Sequence, residues 1–571
     1  MLRRRLPLLL AALPLGSLAA QTSVRMEFDT RIRMRDGVEL SADVYRPDRP
    51  GKFPVILVRT PYDNGTAPNL QAGKRWAARG YVYVVQDVRG RGDSDGQFYP
   101  LVTEGKDGFD TIAWLAAQPW SNGKVGMLGG SYLGWVQLYA AAEKPPALAA
   151  LIPTVTPTDP DKSWPMQYGA YSPATISWLA NISGHTSQDL SELDLWGAYA
   201  HRPLRTADRY VGRSIKSWQD WLDHPASDEY WDRQSYQDKI LDSQIPMLHV
   251  SGWYDDVLLG TLQNFARLTG AKADPAVRSR QRLLIGPWGH RINQSSRMGD
   301  VDFGPTALID LEALQARWFD RWLRGTSNGI EQDPSVRIFV MGENAWRDEH
   351  EWPLARTKWT KFYLHSTGKA NSRYGDGTLD TLPPAAEPPD HYRYDPATPV
   401  PLITDAHFSQ VGGPDDYQAV ERRDDMLVYT TAPFDRPTEM CGPLSATIHA
   451  ASSAKDTDWL TKVLIVYPNG VAQRLNDGGV RARYAKNPRQ AQLVTPGQVE
   501  SYAIDNWGTC ILFRPGERLR LEVASSSFPK FDANLNTGGS IADDTVGVVA
   551  NQTIFHDRAR PSYLLVPLIP R

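Results

Sequence analysis

KVGMLGGSYLGWVQLY, residues 124–139, places an apolar run, two glycines, a serine and a helix-like segment in immediate succession. The apolar run 124–128 suits a strand, and 132–142 suits a helix. A strand that turns sharply into a helix lifts the corner residue, here Ser131, above the sheet edge, where a base can reach its hydroxyl. The backbone N–H that follows lies at a helix start, where the local field favours a developing negative oxygen. The spacing departs from G-x-S-x-G, because Leu133 fills the fifth place and the glycine falls at Gly134.

Strand and helix patterns alternate around this turn. Residues 37–47 (GVELSADVYRP) alternate as a half-buried strand does, whereas 54–60 (PVILVRT) and 81–88 (YVYVVQDV) are the near-continuous apolar runs of strands covered on both faces. Residues 70–79 read as a helix stopped by Gly80, and 149–153 begin a further strand. The alternation resumes at 245–251 (IPMLHVS), 257–268, 282–286 (RLLIG), 307–324 and 335–341 (SVRIFVM). Such a pattern predicts an α/β domain, a mostly parallel sheet with helices on both faces. Between them, 154–240 is rich in Trp, Tyr, Ser and Asp, with helical stretches at 187–201 and 215–224. This segment reads as an inserted helical cap over the carboxyl edge of the sheet, where open α/β folds bind ligands.

Beyond residue 356 helical periodicity disappears. Short β-rich runs at 361–365, 426–431, 444–450, 460–467, 518–524 and 563–567 are separated by loops rich in Pro, Gly and Asp. They predict an antiparallel jelly-roll β-sandwich. The chain thus divides into a leader at 1–20, the two parts of the α/β domain at 21–153 and 241–355, the cap at 154–240, and the C-terminal β domain at 356–571.

Residues 1–20 (MLRRRLPLLLAALPLGSLAA) have the form of a secretory signal peptide: arginines, an apolar run, then small residues. The expectation is export to a periplasm or the medium, with no membrane association after cleavage. The 571 residues exceed one ordinary domain, and a content of 41% apolar and 22% charged residues is that of a folded protein. A net charge of −3 without a basic block past residue 5 gives nucleic acid no surface to bind. Two cysteines, Cys441 and Cys510, exclude a cysteine-rich zinc site. A disulfide and two buried thiols are both open to them.

A serine needs a positioned base, and the base an orienting acid. His290 follows a strand through the glycine-rich turn of LLIGPWGH. Asp255 and Asp256 both follow the strand at 245–251, within SGWYDDV, and either can orient an imidazole.

GGSYLG around Ser131, RTPYDNG around Tyr62, DVRGRGDSDG at 87–96, GWYD at 252–255 and GPWGH at 286–290 resemble the cocaine esterase/X-Pro dipeptidyl-peptidase group of serine hydrolases. So do DTDWLTKVLIVYPNG at 456–470 and GERLRLEVASSSFPKFDANLNTG at 516–538. The likeness spans the chain after the leader and implies an α/β-hydrolase domain interrupted by a helical cap, then a jelly roll. It implies Ser131 as nucleophile, His290 as base and Asp255 as orienting acid, with Asp256 left as the N-cap of the next helix. The Tyr132 N–H and the Tyr62 hydroxyl form the implied oxyanion hole, and no cofactor or metal is required. Asp87 and Arg89 read as turn-bracing residues. Trp135, Trp164, Trp178 and Trp253 are candidates to line an acyl pocket. The apolar Leu133-Gly134-Trp135 beside the nucleophile disfavours a cationic α-amino substrate unless the cap supplies an acid, for which Asp161, Glu192 and Asp194 are candidates. The expected partner is a small ester or amide, with a homo-oligomer open.

Overall fold

The computed structural model describes residues 23–167, 169–404 and 412–571; the expected leader lies outside them. One ten-stranded sheet forms the centre of the N-terminal part of the chain. Its spatial order is Val24–Arg33, Glu39–Pro47, Val82–Asp87, Phe53–Thr60, Ser121–Gly130, Leu148–Thr154, Met247–Gly252, Gln281–Gly286, Val336–Val340 and Ala345–Glu349. The strands from Val82–Asp87 to Val336–Val340 run parallel, and antiparallel strands flank them.

The continuous apolar runs follow from this layering. In Phe53–Thr60, Val55 and Leu57 enter the core beneath helices Glu104–Ala117 and Tyr132–Ala142. Ile56 and Val58 enter the opposite core, with Trp76 from helix Ala67–Ala78 and Phe319 from helix Leu311–Arg324. A strand covered on both faces has no polar side to show. The helix expected at 307–324 starts at Leu311, because the Asp310 carboxylate accepts the Ala313 N–H (2.9 Å) and caps it there.

The segment between the two halves of the sheet is helical, with the longer helices at Ala174–Ile182 and Lys216–Asp223. The helix expected over 187–201 is confined to Leu195–Ala200, where Asp194 accepts the Gly197 N–H. The cap has its own core of Ile176, Leu179, Trp218, Trp221 and Trp231, into which Phe528 reaches from the C-terminal domain.

The C-terminal residues form a second sheet of eleven strands. Strands Ala472–Arg481 and Glu500–Phe513 escape an apolar-run reading. The first is buried along its whole length yet polar, because ion pairs such as Arg474–Asp477 (2.6 Å) and Arg481–Asp458 (2.9 Å) satisfy its charges. Cys441 and Cys510 lie opposite each other on adjacent strands and form a disulfide. Closing a loop of that length, 69 residues, stabilises by about 4 kcal/mol in the chain-entropy account.

The two sheets share one apolar core. Trp253, Leu262, Phe339 and Trp352 pack in the same cluster as Cys441, Trp507 and Ile511. The Met341 N–H donates to the Cys510 carbonyl (3.0 Å), and the Leu512 N–H to that of Met341 (2.8 Å). A chain ended at Arg356 therefore exposes this core. It is expected to be insoluble or to have lost its cooperative thermal transition, and a soluble truncation with full hydrolase activity would refute the shared-core reading.

Candidate active site

Ser131 sits at the corner between strand Ser121–Gly130 and helix Tyr132–Ala142 with φ +59° and ψ −124°, a conformation L-residues seldom adopt. The Ser131 N–H donates to the Thr154 carbonyl of the neighbouring strand (2.9 Å). Two glycines make the corner possible. A Cβ on Gly129 would stand 2.5 Å from that of Leu133, and one on Gly134 would stand 2.2 Å from Thr156 Oγ1. The displaced glycine of the motif thus has a packing cause: Leu133 sits against bare Gly129, and Gly134 is where the helix touches the next strand.

His290 Nδ1 lies 2.8 Å from Asp255 Oδ1. Asp255 is fully buried, and its carboxylate also accepts the Ser251 hydroxyl (2.6 Å) and the Val257 N–H (3.3 Å). These bonds fix the imidazole with Nε2 on its outer edge. Burial favours a neutral His290, but the Asp255 bond and charge, with a further contribution from Asp256, outweigh it and push the ring up to about 9. Ser131 and His290 line the same cavity of about 340 Å³.

Asp256 is not the helix cap that the sequence suggests. Helix Leu258–Thr269 is preceded by Val257 at the N-cap, and Asp256 instead lines the cavity with its carboxylate 3.9 Å from His290 Nδ1. Burial raises its pKa. The adjacent pair DD held this signal: two acids after one strand cannot both serve one imidazole edge. The other candidate acids do not line this cavity, and Asp194 is occupied as the cap of Leu195–Ala200.

Trp135, Trp164 and Trp178 line the cavity with Leu190, Leu195 and Val257, and Trp164 meets Trp178 edge to face at 4.8 Å. Trp253 does not. It is buried against Trp352 at 5.6 Å, and its indole N–H donates to the Phe339 carbonyl (2.7 Å).

The Tyr132 side chain points into the core, donating to Glu104 (2.7 Å) and accepting the Leu101 N–H (3.1 Å). Its backbone N–H belongs to the first helical turn, which has no carbonyl within the helix to receive it. Tyr62 interacts through its hydroxyl with Ser131 and accepts the Trp178 indole N–H (2.8 Å). Burial raises its pKa, so it stays a neutral donor. Asp87 braces the Tyr62 loop by accepting the Asn64 N–H (2.8 Å), while Arg91 donates to Pro61 (2.6 Å) and to Ser187 of the cap (3.0 Å). Arg89 pairs with Asp107 (2.6 Å) away from the cavity, as a bracing residue should. Neither the Trp178 bond nor the Arg91 tie is legible in sequence, since both cross from cap to sheet.

The sequence pattern of the X-Pro dipeptidyl-peptidase (S15) family matches residues 36–291, and that of the X-Pro dipeptidyl-peptidase C-terminal non-catalytic domain matches 328–565. A cocaine esterase of Rhodococcus sp. (strain MB1 Bresler) is 37% identical over 570 residues, covering 95% of this chain and 98% of its own. Among solved structures, an aminopeptidase from the marine sediment archaeon Thaumarchaeota archaeon superposes with a TM-score of 0.85 at 25% identity, covering 100% of this chain and 99% of its own. An α-amino acid ester hydrolase gives 0.84 at 25%, covering 97% and 98%.

The charge of Asp256 helps to hold His290 protonated. Asp256→Asn is therefore expected to lower the His290 pKa from about 9, read from the pH dependence of its ring-proton NMR signal. An unchanged titration would show that Asp256 carries no charge that His290 senses.

Proposed function

We propose that this chain, which belongs to the cocaine esterase and X-Pro dipeptidyl-peptidase family of serine hydrolases, is an exported carboxylic ester hydrolase with Ser131, His290 and Asp255 as its triad. The observation that carries the reading is the bond from Asp255 to His290 beside a strained Ser131, with Ser131 and His290 facing one apolar cavity. In its neutral form His290 takes the Ser131 proton at Nε2 as Oγ attacks the ester carbonyl, while Asp255 holds the ring and the imidazolium charge that results. The tetrahedral oxyanion accepts hydrogen bonds from the Tyr132 N–H and the Tyr62 hydroxyl. Collapse breaks the bond to the alcohol, which leaves with the proton from His290. Water, deprotonated by the same imidazole, then frees Ser131 from the acyl group.

Trp178 gives the oxyanion hole its direction. An indole N–H only donates, so the Tyr62 oxygen accepts from it and the Tyr62 proton is left to point elsewhere, toward the oxyanion. Aromatic walls suit an aryl or branched acyl group.

Asp256 supports a second reading, X-Pro dipeptidyl-peptidase or acylase action on a substrate with a free amine. Against it, the rest of the lining is largely apolar. X-Pro anilides compared with aryl esters distinguish the two, because the peptidase alone should prefer the anilide and lose rate when the amine is acetylated. Export draws support from the form of residues 1–20 and from the Cys441–Cys510 disulfide, since such bonds persist in oxidising compartments.

A fluorophosphonate probe is expected to label the protein but not Ser131→Ala, and labelling of both would end the triad reading. Tyr62→Phe should lower kcat roughly 10²- to 10³-fold, the usual cost of one oxyanion donor. Trp178→Phe should lower kcat about tenfold, by the loss of one hydrogen bond, yet have little further effect in the Tyr62→Phe background. Full additivity of the two would show that Trp178 does not act through Tyr62.

A further inference from the structure

Four residues of helix Ala174–Ile182 line the cavity that Ser131 and His290 face: Ala174, Ser177, Trp178 and Asn181. Their spacing makes one stripe along the helix, about 10.5 Å long at the usual rise per residue. The two ends of the stripe differ. Ala174 walls a small chamber together with Asp256, whose carboxylate is 3.9 Å from His290 Nδ1. Trp178, further along, reaches the Tyr62 hydroxyl. Asn181 stands at the opposite end, on a lining that also holds Leu190 and Leu195. Asp256 and His290, the lining residues able to carry charge, belong to the Ala174 end.

The side-chain amide of Asn181 is oriented by its surroundings. Its Nδ2 donates to the Gln188 carbonyl (2.8 Å), and its backbone carbonyl accepts the Gln188 N–H (3.2 Å). Only the nitrogen can make the first bond, so the two amide atoms are told apart. Gln188 does not line the cavity, so the nitrogen is turned to the cap loop and the oxygen diverges from it. Oδ1 has no partner among the described residues and is not sealed, since Asn181 is only half-buried. Ser177, one turn earlier, gives its proton to the Ala174 carbonyl (2.8 Å), so its contact with the Tyr199 hydroxyl (2.9 Å) uses the tyrosine's proton. The stripe therefore ends in a reachable, neutral acceptor.

We propose that Asn181 determines specificity: its Oδ1 accepts a hydroxyl at the far end of an aryl acyl group, which makes hydroxyaryl acyl esters the substrate class. The proposal rests on the esterase reading above. The leaving alcohol takes its proton from His290 and so lies toward the Asp256 end. The acyl arm, on the other side of the carbonyl, runs past Trp178 to Asn181. Those two residues are about 4.5 Å apart along the helix axis, on the order of one aromatic ring. A cation stripped of water against one neutral oxygen would be left uncompensated, whereas a hydroxyl needs only that one bond to satisfy its proton.

The test uses ester pairs that exchange a hydroxyl for a methyl. On the acyl arm these are 4-nitrophenyl (4-hydroxyphenyl)acetate and 4-nitrophenyl (4-methylphenyl)acetate. On the alcohol arm they are 4-hydroxyphenyl acetate and 4-methylphenyl acetate. The full-length protein is compared with Asn181→Leu, which removes both the acceptor and the Gln188 tie, and with Asn181→Asp, which removes the tie but keeps an acceptor. Only the ratio of kcat/KM within each pair is read, so intrinsic reactivity and any general loss from misfolding cancel. Asn181→Leu is expected to lower the acyl-arm preference for the hydroxyl roughly three- to tenfold, the worth of one hydrogen bond. Asn181→Asp is expected to keep it at or above the parental value, and the alcohol-arm ratio to stay within twofold in both variants. An acyl-arm ratio that Asn181→Leu leaves within twofold of the parent would overturn the subsite. So would an equal fall in both variants, which would assign Asn181 to holding the cap loop. Ser131→Ala is run on the methyl-bearing esters alongside. If it retains parental activity, or if the parent turns over none of these activated esters, the catalytic reading fails and the subsite falls with it. If Ser131→Ala is inactive while the acyl-arm ratio does not move, the subsite alone is wrong.

Discussion

A non-glycine residue held at φ +59° is the constraint around which the catalytic half is arranged. Such a conformation costs about 1–3 kcal/mol and persists only where its surroundings over-determine it. Here they do so from three sides. Gly129 and Gly134 let Leu133 and the adjacent strand approach to distances that side chains would forbid. The Ser131 N–H is bound to Thr154. Beneath the corner, Tyr132 is anchored to Glu104, which is itself paired with fully buried Arg59 (2.7 Å). Removing one member of such a buried pair leaves an uncompensated charge, so the pair acts as a fixed post under the turn rather than as a net source of stability.

The cavity in front of this corner belongs to no single part of the chain. Its floor is the sheet edge, its aromatic wall is the cap, and a small chamber behind Trp164 and Asp256 reaches the C-terminal domain. The cap is fastened at both ends. Arg91 ties it to the loop that carries Tyr62, and Tyr171 donates its N–H to Asp532 of the C-terminal domain (2.7 Å). Trp178 then couples the cap to the hydroxyl of Tyr62. In the proposed mechanism the cap therefore orients an oxyanion donor as well as enclosing substrate, and the C-terminal domain holds that cap in place.

Neighbouring carboxylates are given different characters by their surroundings. Asp255 receives a hydroxyl, a backbone N–H and an imidazole. Asp256, one residue on, is dominated by burial and moves toward its neutral form. Asp87, buried beneath the Tyr62 loop, is pushed up to about 7 by the same cause even though two backbone N–H groups donate to it. Sequence shows three aspartates; the local dielectric and hydrogen bonding sort them.

The sequence by itself determined the layer order, the elbow at residues 124–139 and the residue types of the candidate triad. These rest on local signals: strand 518–524 and helix 132–142 fall where periodicity and turn chemistry put them. Strands such as Ala472–Arg481 were hidden, because their burial depends on ion pairs with distant partners rather than on apolar side chains. Only the tertiary structure decided that Asp256 faces the cavity while Asp194 caps a helix, and that Trp178 lines it while Trp253 is core. The same holds for the disulfide. The physical reason is common to all of them. A side chain's type is fixed by the chain, but its solvent and its partners come from segments tens to hundreds of residues away.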